Sequence, residues 1–229
     1  MTSPEELHFY LQAGPHVDSD HPAVQALALQ TTKDIGSVRE RAVALYYAVR
    51  DGFRYDPYAI QAVDRCFTAS VVVETGSGFC ISKAALLAAT ARAAGIPARV
   101  GFADVKNHLT SPRLRELMDS DEFVYHGYSE LWIDGRWVKA TPAFNRTLCD
   151  KANVRPLEFD GQTDSLFHPL DQSGRKHMEY LRDHGCRPDI PAAEILTAWK
   201  KFYPKMATWG QHKTGSNFEQ EVVREVTAE

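Results

Sequence analysis

Cys80 stands between a glycine-rich approach, Gly76-Ser77-Gly78-Phe79, and a run of helix formers that begins Ile81-Ser82-Lys83-Ala84-Ala85. A thiol is a weak nucleophile until it ionises. The first turn of a helix offers unpaired N–H groups and the positive end of the backbone dipole, and both favour thiolate. The position therefore predicts an activated sulfur with a pKa below the free-thiol value of about 8.5. The absence of side-chain bulk at Gly76 and Gly78 lets a substrate carbonyl approach the Cys80 backbone amide, which then serves as an oxyanion donor. Gly78 and Phe79 are accordingly candidate substrate contacts. The competing reading of Cys80 is a small hydrophobe at the start of a buried helix.

A cysteine nucleophile needs a base within reach. In Tyr125-His126-Gly127-Tyr128-Ser129-Glu130-Leu131-Trp132, strand alternation puts His126, Tyr128, Glu130 and Trp132 on one face. With Asp134-Gly135 in a two-residue turn, Trp132 pairs with Trp137, Glu130 with Lys139 and Tyr128 with Thr141. Thr141 is then the diagonal neighbour of His126. A group that orients the imidazole is expected at that diagonal or one step beyond it. Tyr128 is retained as a further candidate substrate contact, whereas Tyr125, Trp132, Trp137 and Phe144 are expected to be core.

The elements that must position these residues are helices first and strands later, an α+β plan. Residues 21–31 place Val24, Leu27, Ala28 and Thr31 on one helical stripe, with Asp20 as N-cap and Pro22 in the first turn. Residues 37–51 begin with Ser37 and Glu40 at capping-box spacing. Residues 53–58 read as a short extended piece and 59–70 as loop or short helix. Residues 80–94 form a close-packed central helix closed by Gly95, with Pro97 preventing a restart. An extended stretch (98–104), a short helix within 106–120 and the hairpin 123–141 follow. Beyond Asn145 the chain reads as loop up to a helix at 192–202, and as a fraying polar tail from Gly210. The irregular stretch 157–170 is expected to lie near the cleft, with no residue assigned a role.

These residues carry a resemblance. GSGFC before a helix, then TARAAGIPARV, then HGYSELWIDGRWVKATPAFN are similar in order, spacing and turn chemistry to the Cys and His segments of the transglutaminase-like superfamily of papain-related cysteine enzymes, over about residues 20 to 145. The resemblance implies a transglutaminase-like/papain-like fold with the central helix packed on an antiparallel sheet. It makes Cys80 the nucleophile and His126 the base that also protonates the leaving group. The family's third member is usually an aspartate followed by proline, and here that position reads Thr141-Pro142. A hydroxyl accepts a hydrogen bond from imidazole but carries no charge, so it stabilises imidazolium less than a carboxylate does. Thr141 ranks first as the orienting residue by position and Asn145 second, with Glu130 or Asp134 as other recruits. The catalytic core is placed at 1–145 and residues 146–229 form an extension packed on it.

Bulk properties narrow the functions. The 26 basic and 30 acidic residues are interspersed and give a formal net charge of -4, so no basic stripe recommends nucleic acid. No apolar run reaches the roughly 20 residues of a bilayer span, and the acidic N-terminus does not resemble a secretory leader, so a cytoplasmic location is expected. The four cysteines have no CxxC spacing; Cys66, Cys149 and Cys186 read as incidental thiols. His168, His177, His184 and Cys186 match no metal spacing, and neither metal nor cofactor is implied. The expected activity is attack of Cys80 on a small-molecule or peptide amide, an acyl-enzyme, and hydrolysis. Protein cross-linking, thiol-dependent addition or isomerisation of a metabolite, and a non-catalytic binding module are the alternatives.

Overall fold

A computed structural model describes residues 2–60, 63–108, 111–205 and 218–226. The chain opens with helix α1 (Pro4–Phe9), which the sequence reading passes over. Its signal is a full capping box, in which the Ser3 side chain accepts from the Glu6 N–H and the Glu6 carboxylate accepts from the Ser3 N–H. Helix α2 (Pro22–Thr32) follows, capped by the His21 ring rather than by Asp20. Helix α3 (Val38–Gly52) has Ser37 as N-cap, as its spacing predicts. Strand β1 (Arg54–Tyr55) leads through two short 3-10 turns to α4 (Ala69–Thr75), ended by the left-handed Gly76. Strand β2 (Ser77–Gly78) pairs in parallel with β1, setting Tyr55 opposite Gly78.

Helix α5 (Cys80–Ala93) is the centre of the molecule, and every residue from Cys80 to Arg92 is buried. Its alanines keep the helix thin enough for α2, α3, α4 and the sheet to pack against it from all sides, while Ile81, Leu86 and Leu87 each add about 1.5–3 kcal/mol of burial. Gly95, at φ 77°, ends it as expected: the Ile96 N–H bonds the Ala91 carbonyl at 2.8 Å in the manner of a Schellman closure. Lys83 is fully buried and donates to the carbonyls of Arg50 at 2.9 Å and Phe53 at 2.7 Å, tying α5 to the end of α3 and the start of β1. Burial drives its pKa down to about 7.

The main sheet is antiparallel, in the order β5-β4-β3-β6, from β3 (Ala98–Asn107), β4 (Glu122–Ile133), β5 (Arg136–Ala140) and β6 (Met178–Arg187). Helix α6 (Pro112–Met118) lies between β3 and β4, and α7 (Arg146–Lys151) follows β5. The hairpin register is the expected one: Trp132 opposes Trp137, Glu130 opposes Lys139, and Asp134 and Gly135 turn at φ 50° and 83°. Pairing ends at Ser129 and Ala140, so Thr141 lies one residue past the last paired position.

Two later features depart from the sequence reading. Strand β6 lies in the stretch read as loop; its side chains are mostly exposed, so it carries no apolar alternation, yet its backbone extends the core sheet beside β3. Helix α8 (Ala192–Phe202) is as expected. The tail expected to fray contains helix α9 (Phe218–Val226), held by buried Phe218 and Val222; the expectation for 210–217 falls outside the described residues.

Strand β4 meets the first turn of α5 at Gly127, where a Cβ would stand 2.7 Å from the Ile81 Cα. Ser129, two residues on, donates to the Ala84 carbonyl at 2.8 Å. Gly127→Ala is expected to lower stability by about 1–3 kcal/mol through overpacking against backbone. Chemical denaturation measures this, and a loss under about 0.5 kcal/mol, the size of an ordinary surface change, would contradict the close approach.

Candidate active site

Cys80 occupies the first helical position of α5, and the backbone N–H groups of Gly127, Ile81 and Cys80 itself are directed at its sulfur. These groups favour thiolate, as the sequence reading expects. Burial opposes them and wins: the residue is 8% exposed, and the thiol is pushed up to about 11. The expectation of a depressed pKa is therefore corrected. Helix position was legible in the sequence, but the cover over the sulfur was not.

His126 shares the space in front of that sulfur. The two side chains line one cavity of about 30 Å³, roofed by Leu114 and Met118 of α6 and by Trp199 and Tyr203 at the end of α8, with Tyr55 of β1 in the wall. This volume is about that of a single water molecule. His126 is 4% exposed, and desolvation holds its imidazole down to about 3, so it is neutral. The resting pair is a neutral thiol beside a neutral imidazole.

A β-bulge aims His126. Ala103 pairs with His126 and Val105 with Phe123, so Val124 and Tyr125 stand opposite Asp104 alone. Tyr125 adopts φ 62°, a left-handed conformation that costs about 1–3 kcal/mol for such a residue. Its N–H donates to Asp104 Oδ1 at 3.0 Å, its hydroxyl donates to Glu194 at 2.6 Å, and its ring stacks on His184 at 4.2 Å. His184 Nε2 lies 2.7 Å from the same Asp104 oxygen.

The third position has a specific defect. Among the described residues, His126 Nε2 and Thr141 Oγ1 are both buried without a hydrogen-bond partner. Asn145, the second-ranked orienting residue, has its amide engaged elsewhere: Oδ1 accepts from the Tyr55 N–H at 2.9 Å, and Nδ2 donates to Thr147 at 2.6 Å and Glu219 at 3.0 Å. Glu130 is bound to Arg99 and Asp134 to Arg39. Thr141 is thus the candidate whose polar atom is uncommitted.

The remaining candidates lie elsewhere. Tyr128 lies over Gly101, where a Cβ would come within 2.3 Å of its ring, and it lines a separate groove with Lys139 and Tyr180. Phe79 is 1% exposed and packs with Phe67 and Trp199 as core. Gly78 makes room for Ser82, whose Oγ would stand 2.7 Å from a Cβ there and which accepts from the Phe79 N–H at 3.1 Å. A side chain at Gly78 would therefore collide with the start of α5. Sequence reasoning missed the roof, Trp199 and Tyr203, and missed Phe167, whose ring lies 5.1 Å from that of His126. Phe167 does come from the irregular stretch expected near the cleft.

The model of the transglutaminase-like superfamily matches residues 25–142, and the chain belongs to that superfamily. No curated protein matches. Among solved structures, the chain is similar to a candidate cysteine protease from Cytophaga hutchinsonii, at 18% identity over 81% of this chain and 58% of that one, with a TM-score of 0.48. It is also similar to the periplasmic domain of TgpA from Pseudomonas aeruginosa, at 24% identity over 61% and 47% of the two chains, TM-score 0.44. A third is red sea bream transglutaminase, at 13% identity over 90% and 42%, TM-score 0.38. The chain spans little more than half of the first of these.

The buried pair sets the pH dependence of stability. His126 titrates near 3 folded against 6.5 ordinarily, so the unfolded chain binds more protons between these values and stability is lost as pH falls through that window. Cys80 titrates near 11 against 9.0, so its contribution is lost as pH rises through that range. His126→Gln is expected to flatten the acid limb relative to wild type in urea titrations from pH 7 to 4, and parallel limbs would contradict the burial of a neutral imidazole.

Proposed function

We propose that the protein is a cysteine-dependent acyl-transfer enzyme that hydrolyses an amide or peptide-like bond. The observation that supports this is the shared cavity: a thiol at a helix N-terminus and an imidazole from the facing strand line one space of about 30 Å³. Charge separation in the closed cavity is unfavourable, because both ions lose hydration there. Substrate entry lifts the roof and admits the polar groups that a thiolate and an imidazolium need. The thiol proton passes to His126 and the sulfur adds to the carbonyl carbon. His126 then returns the proton to the departing amine, leaving a thioester for water to cleave. Thr141 Oγ1 accepts from His126 Nε2–H as the imidazolium forms, which gives both orphaned atoms a partner.

Water is the preferred acceptor over a protein amine. The residues roofing the cavity are apolar or aromatic, and among the described residues no acidic side chain lines it to hold a lysine ammonium. One observation favours a second reading, a binding module that has kept the fold: the resting pair is neutral and its third member carries no charge.

An electrophilic amide probe followed by mass mapping separates the two. The enzyme reading expects an adduct on Cys80 whose formation slows at least 100-fold in His126→Ala. It also expects Thr141→Val, which removes only the orphaned hydroxyl, to slow the adduct roughly 10-fold while raising stability by about 1 kcal/mol. Absence of a Cys80 adduct, with the other thiols reacting normally, would leave the binding module.

A further inference from the structure

The geometry points to Asp104 as a positioning residue that aims His126 at the Cys80 sulfur without itself reaching the cavity. This role rests on the acyl-transfer reading and concerns what turns its base inward.

Strand β4 leaves regular pairing immediately before His126. Val124 and Tyr125 stand together opposite Asp104, and Tyr125 carries φ 62°. The other described non-glycine residues at positive φ are Asp34, Asp119, Asp134 and Asn153, whose short polar side chains suit that region. A bulky aromatic side chain does not, so Tyr125 keeps this conformation only because its surroundings impose it. Val124 and His126 line the cavity, while the Tyr125 ring between them is held outside it, against His184 and Glu194. Because Tyr125 is the residue before His126, a return of its φ to the ordinary negative range redirects the chain that enters His126 and carries the imidazole with it.

Side chains meet the backbone groups of this bulge. The Val124 N–H donates to the Tyr203 hydroxyl at 2.7 Å, and the Val124 carbonyl accepts from Trp199 Nε1 at 2.9 Å. The Tyr125 N–H donates to Asp104 Oδ1 at 3.0 Å. That oxygen is clamped in turn by His184, whose Nε2 lies 2.7 Å away and whose ring stacks on Tyr125. Strand β6 brings His184 there through a bulge of its own: Phe102 pairs with Gly185 and Ala103 with Asp183, which leaves His184 as the extra residue. One carboxyl oxygen of β3 therefore ties the irregular turns of both neighbouring strands together.

Asp104, His184 and Glu194 do not line the cavity, so any effect they have on the reaction passes through His126. His184, Glu194, Trp199 and Tyr203 lie beyond residue 142, where the match to the superfamily ends, so the frame around the bulge is built by the later part of the chain. In the proposed attack the imidazole takes the thiol proton and returns it to the leaving amine. Both transfers need the ring within hydrogen-bond reach, and a displacement of about 1 Å costs on the order of 100-fold in rate.

The test is a double-mutant cycle read by acylation with p-nitrophenyl butyrate, followed as the nitrophenolate burst. Asp104→Ala is expected to slow acylation about 100-fold in the wild-type background and less than about two-fold in His126→Ala, where no imidazole is left to aim. Asp104→Asn keeps an oxygen that accepts from the Tyr125 N–H and is expected to recover at least about 10-fold of that loss. If Asp104→Ala does not fold, His184→Ala takes its place in the cycle, with an expected loss of about 10-fold. A second readout needs no turnover: the His126 ring protons, assigned by their absence from His126→Gln, feel the Phe167 ring 5.1 Å away, and their resonances are expected to shift in Asp104→Ala and to return in Asp104→Asn. Equal losses in the two backgrounds, or His126 resonances that do not move, would overturn the role of Asp104 and leave acyl transfer standing. A wild-type protein that iodoacetamide alkylates at Cys80 but that is never acylated would overturn acyl transfer, and this role with it.

Discussion

Strand β4 comes so close to the first turn of helix α5 that only a glycine fits between them, and the rest of the site follows from that contact. The missing side chain at Gly127 fixes the distance between strand and helix start, and its backbone is among the groups that favour the Cys80 thiolate. One residue earlier on the same strand stands His126, redirected by the bulge that Asp104 holds through the Tyr125 N–H. Cys80 and His126 thus come from two elements whose separation is set by backbone contact, not by flexible side chains.

The side chains over the cavity keep both groups away from bulk solvent. A thiol at a helix start is usually read as activated, because the N–H groups there favour its anion. In this protein those groups are present, but removal of water from the sulfur outweighs them. The imidazole is subject to the same effect with the opposite sign. Under the proposed acyl-transfer reading, a pair held neutral protects the thiol from alkylation and oxidation, and substrate arrival becomes the event that ionises it.

Much of this was legible in the sequence where local chemistry dictates structure. Asp134-Gly135 set the hairpin register because both turn residues tolerate positive φ, and Gly95 closed α5 for the same reason. Ser37 announced α3. Elements whose stability comes from distant partners were not legible: β6 has exposed side chains and is held by backbone pairing to β3, and α9 is anchored by its two apolar contacts. The pairing of Cys80 with His126 could be inferred from residue type and order. The direction of the thiol pKa could not, because Trp199 and Tyr203 reach the cavity from far along the chain, beyond the segment that matches the superfamily.

The most direct test of this account is an equilibrium titration of the sulfur itself. The carbon-13 shift of the Cys80 Cβ, assigned by comparison with Cys80→Ser, reports thiol against thiolate in the resting protein. The account predicts a thiol through neutral pH, ionising at about 11. A thiolate already formed below pH 7 would show a preformed ion pair with His126 and contradict it.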